Sequence, residues 1–124
     1  MTRADDKFAD LRARTKMYAS RIIRLYTHLR QSCHFDDAAM VIAKQLLRSG
    51  TSVAAKHRES KHARSKADRI TKFQIMLQEL EESALWLELL EEHQMANVEG
   101  LRQLLDETNQ LISIFVSIKT LHEK

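Results

Sequence analysis

At 124 residues the chain has the length of one domain, 1–124, with room for a hydrophobic core that needs no disulfide or metal staple. With no proline and only Gly50 and Gly100 as glycines, it starves hairpins and tight turns, which excludes a β-rich fold and suits long helices. A lone Cys33 excludes an intramolecular disulfide, and the net charge of +3 hides a split: residues 1–64 hold 14 Lys/Arg against 6 Asp/Glu, residues 65–124 hold 6 against 11.

The charged start has no apolar run of the kind a signal peptide needs. The longest uncharged apolar-rich run, near 110–118, is far too short to span a bilayer. With a single thiol and no leader, the expected location is the cytoplasm, with no membrane partner.

The first predicted helix covers 3–30. Phe8, Leu11, Thr15, Tyr18, Ile22, Leu25 and Leu29 step by three and four, which is one buried face at heptad spacing. Ala19, Ile23 and Tyr26 widen that face, and Arg12, Lys16, Arg21, Arg24 and Arg30 cover the other. Asp5 and Asp6 suit the positive N-terminal end of the helix, and Arg30 the negative C-terminal end.

After a connection at 31–35, Asp36 caps a second helix over 37–62. Its inner stripe is Ala39, Ala43, Leu46, Gly50, Val53 and His57, with Ile42, Leu47 and Ala54 beside it. A glycine inside a helix costs about 1 kcal/mol relative to alanine. Gly50, with Ser52, Ala54 and Ala55 near it, is therefore read as a close approach of a neighbouring helix, with a hinge as the alternative.

Ser65 followed by Asp68 reads as a capping-box variant that opens a third helix over 66–93. Its stripe is Ile70, Phe73, Leu77, Leu80, Ala84 and Leu87, broadened by Met76, Trp86, Leu89 and Leu90. Glu79, Glu81, Glu82, Glu88, Glu91 and Glu92 make its later part acidic.

Asn97 caps a fourth helix running to 122. Val98, Leu101, Leu105, Thr108, Ile112 and Phe115 form its inner stripe. Leu104, Leu111, Ile114, Ile118 and Leu121 form a second stripe, and a band this wide marks an oligomer interface. Four helices of about 38 Å with short links predict an all-α, antiparallel, up-down-up-down four-helix bundle.

Seven cations crowd the junction of the second and third helices: Lys56, Arg58, Lys61, Arg64, Lys66, Arg69 and Lys72, opposed only by Glu59 and Asp68. They gather at one end of the bundle, where phosphate contacts need such charges and no more. A solvated helix end paired with acids of a neighbouring subunit accounts for the same residues. No aromatic side chain interleaves them, so stacking of single-stranded bases is not expected. Glu59, flanked by Ala55 and Ala63, is expected to pair with an arginine such as Arg48 or Arg58, or with a helix end, and to serve packing.

No catalytic site, metal or cofactor is expected. The histidines are scattered and include no His-x-x-x-His. The Arg24/His28 and Arg58/His62 pairs could hold a phosphate and move a proton in RNA cleavage, but pairs of this kind arise by chance in so basic a chain. The apolar face of the first helix is needed by the core, which argues against a membrane-surface role.

Three stretches carry a resemblance: 45–60 (QLLRSGTSVAAKHRES), 63–77 (ARSKADRITKFQIML) leading to 86–90 (WLELL), and 111–121 (LISIFVSIKTL). Together they resemble the bacterial four-helix-bundle proteins related to those encoded in intervening sequences of 23S ribosomal RNA genes. The most specific part is Arg48-Ser49-Gly50-Thr51-Ser52-Val53 followed by Arg58-Glu59. Lys56 stands where the family pattern commonly has Asn after the small residues. The resemblance implies the same bundle and a ring of five subunits. Its relatives include the accessory protein of diversity-generating retroelements, a basic pentamer that works with a reverse transcriptase and nucleic acid. The resulting expectation is a non-enzymatic homopentameric scaffold or adaptor whose basic rim meets RNA, DNA or a reverse-transcriptase-like enzyme. The alternative is a purely structural, protein-binding ring.

Overall fold

The computed structural model consists of α1 (Arg3–Cys33), α2 (Asp37–Ser60), α3 (Lys66–Glu92) and α4 (Val98–Glu123). It describes residues 3–124, with side chains from residue 10 onward. The expected roles of Asp5, Asp6 and Phe8 fall outside the described side chains. α1 packs on α2, α2 on α3 and α3 on α4, while α1 and α3 stand diagonally apart. α4 closes back on α1 along a looser seam. This is the antiparallel up-down-up-down bundle that the short links require.

The caps form where the sequence places them. Asp36 accepts the Ala39 N–H at 3.0 Å, Ser65 that of Asp68 at 3.0 Å, and Asn97 that of Gly100 at 3.1 Å. The reciprocal bond of the capping box is displaced by one residue. Asp68 Oδ2 accepts the N–H of Arg64 at 3.0 Å, not that of Ser65.

Two boundaries differ from expectation. α1 runs on through Cys33 because nothing at 31–33 breaks it, and Ser32 Oγ donates back to the His28 carbonyl at 2.8 Å. α2 stops at Ser60, whose hydroxyl donates to the His57 carbonyl at 2.6 Å while the next N–H groups bond three residues back. The α3–α4 turn is a Schellman closure in which Gln94 takes the left-handed φ of 55° usually left to glycine. There Met95 N–H reaches Leu90 O at 2.9 Å, Gln94 N–H reaches Glu91 O at 3.0 Å, and Met95 packs on the core.

Inside, α1 presents Leu11, Thr15, Tyr18, Ile22 and Leu29 as read from its spacing. α4 buries Leu101, Leu104, Thr108, Leu111 and Phe115, a strict three-four alternation that draws one residue set from each of its two expected stripes. Val98 is exposed and Leu105 and Ile112 are only half-buried, because the helix is rotated to centre Leu104 and Leu111. In α3 the deepest line is Phe73, Met76, Leu80, Leu87 and Leu90, with Ile70 and Leu77 at its flank. Two buried polar links cross the core. Thr108 gives its proton to the Leu104 carbonyl at 2.8 Å, so Tyr18 donates to Thr108 Oγ1 at 2.6 Å. Ser83 likewise gives its proton to Glu79 O at 2.8 Å and shares a 2.7 Å bond with Ser49.

The sequence's most distinctive triplet has a packing role at each position. Arg48 bridges to Glu79 at 3.2 Å and Glu82 at 2.6 Å on α3. Ser49 meets Ser83. Gly50 receives Ile22 of α1 so closely that a Cβ there would lie 2.7 Å from Ile22 Cγ1. Small residues let α2 approach both neighbours, which is the close approach Gly50 implied.

Candidate nucleic-acid interface

The junction of α2 and α3 is built from two helix ends facing opposite ways. At the C-terminal end of α2, carbonyls lack intrahelical partners and carry partial negative charge. Arg69, one turn into α3, donates its Nε to the Ser60 carbonyl at 3.3 Å and ties the two ends together. Glu59 does not meet Arg48 or Arg58 as expected. Lys56 Nζ lies 3.2 Å and Lys72 Nζ 3.6 Å from its carboxylate, because Glu59 faces α3 while Arg48 is taken by Glu79 and Glu82 further along the same seam.

The seven cations therefore divide. Lys56 and Lys72 share the single carboxylate of Glu59, and Arg69 holds a helix end. Arg58, Lys61, Arg64 and Lys66 are exposed and carry no ion pair among the described residues. Arg64, Lys66 and Arg69 line an open groove of about 430 Å³ with Ala63, Ser65, Leu121 and His122. The α4 residues were not anticipated there. Only the antiparallel order of helices of similar length, which brings the end of α4 toward the α2–α3 turn, could have signalled them.

Beneath the turn lies a ring cluster. His57, 1% exposed, has its ring 5.9 Å from Phe115. Phe73 lies 6.2 Å from Phe115 and 5.3 Å from His122. Burial, and then the charges of Lys61, Arg12 and Arg58, push the His57 pKa below its ordinary value, so the ring is neutral at pH 7. The unfolded chain takes up that proton near pH 6.5 and the folded chain resists it. Stability from this group is thus complete above about pH 6.5 and is lost as pH falls toward the folded value. One such group gives a slope of at most about 1.4 kcal/mol per pH unit. Thermal melts at pH 7.5 and 5.5 should show a drop that His57→Met reduces. An unchanged drop in the variant would remove His57 as its source.

The expected assembly residues separate in the same way. Leu104 and Leu111 are 4% and 0% exposed inside the chain's own core, which corrects their assignment to an interface. The a/d alternation of α4 consumes them. Ile114 and Ile118 are half-buried and Leu121 is 66% exposed. These three, with Asp10, Leu11, Ser113 and Ser117, line an apolar groove of about 410 Å³ on the loose α1–α4 seam.

The two histidine–arginine pairs weighed for RNA cleavage are not brought together. Arg24, His28, Arg58 and His62 are all exposed, and no hydrogen bond joins either pair among the described residues. Glu59 and His62 are three apart, but α2 ends between them. Among the described residues no three His, Cys, Asp or Glu side chains are grouped to hold a metal ion, and no helix is long and apolar enough to cross a membrane.

Comparison with known proteins agrees with the four-helix fold. A family model described as 23S rRNA-intervening sequence protein matches residues 10–117. A crystal structure of a protein of unknown function from the S23 ribosomal protein family of Bacteroides thetaiotaomicron superposes with a TM-score of 0.83 at 32% identity, over 92% of this chain and 98% of that one. Among curated proteins, none matches the chain.

Proposed function

The chain belongs to the family of 23S rRNA-intervening sequence proteins, and from that premise we propose that it is a non-enzymatic, self-assembling scaffold whose basic end binds nucleic acid or an enzyme that acts on it. The number of subunits, five, comes from the resemblance drawn on 45–60 and the later stretches. A reducing cytoplasmic compartment suits the single Cys33 thiol.

The observation that carries the reading is the unneutralised charge of the α2–α3 turn. The acids of α2 and α3 at the turn are engaged: Glu59 by Lys56 and Lys72, and Asp68 by the cap of α3. Arg58, Lys61, Arg64 and Lys66 remain for an outside anion. Repeated around a closed assembly, these cations form a positive rim. Such a rim grips phosphates and reads no bases. The family-like triplet Arg48-Ser49-Gly50 makes ion pairs, a hydrogen bond and close packing within the chain.

Filter binding over a salt series tests this. Affinity for RNA or duplex DNA should fall linearly in log salt, and Lys61→Ala/Arg64→Ala/Lys66→Ala should flatten the slope by about one unit for each phosphate that is no longer neutralised. Absence of binding at low salt sinks the nucleic-acid reading. The second reading, a protein-binding ring without nucleic acid, would then stand on the apolar groove at Ile114, Ile118 and Leu121.

A further inference from the structure

The outer faces of the two diagonal helices are complementary. On α1, Ile23 is 47% exposed among Lys16, Arg24 and Arg30, all exposed. On α3, Leu85 is 47% exposed among Glu81, Glu88 and Glu92, which flank it on the same helix. Lys16, Arg24, Arg30, Glu81 and Glu88 carry no ion pair among the described residues, and Glu92 has only His93 at 3.8 Å. Each face thus holds one aliphatic residue inside a field of one sign. The two faces lie on opposite sides of the bundle, so one chain cannot pair them within itself.

Their heights match as well. The Tyr18 hydroxyl lies close to Ser83, and Ile22 fills the space over Gly50, the neighbour of the Ser49 that bonds Ser83. Both links set residues 18–23 of α1 level with Ser83. α1 and α3 run parallel, each rising 1.5 Å per residue. Within about one turn, Lys16 is therefore level with Glu81, Ile23 with Leu85, Arg24 with Glu88 and Arg30 with Glu92. Rotation about an axis parallel to the bundle preserves those heights.

We infer that copies of this chain join head to tail, with the basic outer face of α1 on one copy seated against the acidic outer face of α3 on the next. Such a contact is heterologous, so it closes into a ring when the rotation per copy divides a full turn. Charge complementarity selects a second copy as the occupant and fixes the register. The joint rests on the self-assembly proposed above and replaces the α4 strip as its seat. It leaves Lys61, Arg64 and Lys66 free.

Sedimentation of the purified full chain and its variants tests the joint. The wild type should travel as a multi-chain particle that dissociates at high salt. Lys16→Glu/Arg24→Glu and Glu81→Lys/Glu88→Lys should each shift it to a single 14.4 kDa chain with an unchanged helical circular dichroism spectrum. All four substitutions together should restore the assembly, and Leu121→Glu should leave it intact. Persistence of the assembly in both double variants overturns the joint while leaving self-assembly standing. So does failure of the fourfold variant to reassemble, or dissociation by Leu121→Glu. A wild type of 14.4 kDa overturns self-assembly and the joint together.

Discussion

Gly50→Val is expected to destabilise the bundle by about 3 kcal/mol, the upper part of the usual range for overpacking a core. The Cβ alone would lie 2.7 Å from Ile22 Cγ1, 3.1 Å from Cγ2 and 3.3 Å from Cβ. These are the branched root of a side chain with no exposed surface, so it has no open space to swing into. Alanine shows how the opposing effects balance. It gains about 1 kcal/mol of helix propensity over glycine yet meets the same contact, so Gly50→Ala should also lose stability, by less than valine. Urea melts of both variants measure this. Pairing Gly50→Ala with Ile22→Ala should cost less than the sum of the two, because each relieves the other's misfit. A Gly50→Ala protein more stable than wild type would show that α1 and α2 are not in close contact here.

Phe115→Ala should cost about 3–5 kcal/mol. The ring is fully buried and spans the middle of the cluster formed by His57, Phe73 and His122 under the basic turn. Truncation leaves a cavity bounded by rigid rings, which collapse poorly. At about 4 °C of melting temperature per kcal/mol for a chain of this size, the loss is roughly 12–20 °C. Hydrogen exchange should show the α2–α3 turn losing protection before the opposite end of the bundle, since the cations of the turn stand on these rings. A loss below about 1 kcal/mol would mean that the rings do not pack as a unit.

These two sites show where sequence reasoning reached and where it stopped. Gly50 was legible because an internal helical glycine carries a cost that only close packing offsets. Phe115 was legible as core by its spacing, but of its ring partners His57 and Phe73 lie on other helices, and His122 reaches the cluster only through Phe73. Glu59 was assigned Arg48 or Arg58, whereas it meets Lys56 one turn back on its own helix and Lys72, which is near it only across the α2–α3 seam. Leu104 and Leu111 were assigned to an outer stripe because periodicity gives the members of a face and leaves the rotation of that face about the helix axis open.

The amino-acid order by itself determined the helical class, the four elements, the three caps and the need for close approach at Gly50. All of these depend on interactions within a few residues or on one helix's own period. Only the packed bundle decided which apolar line of α4 turned inward, which acids met which cations, and which cations were left over beside Leu121 and His122. Those outcomes depend on distances between helices, which are set when the whole core closes at once.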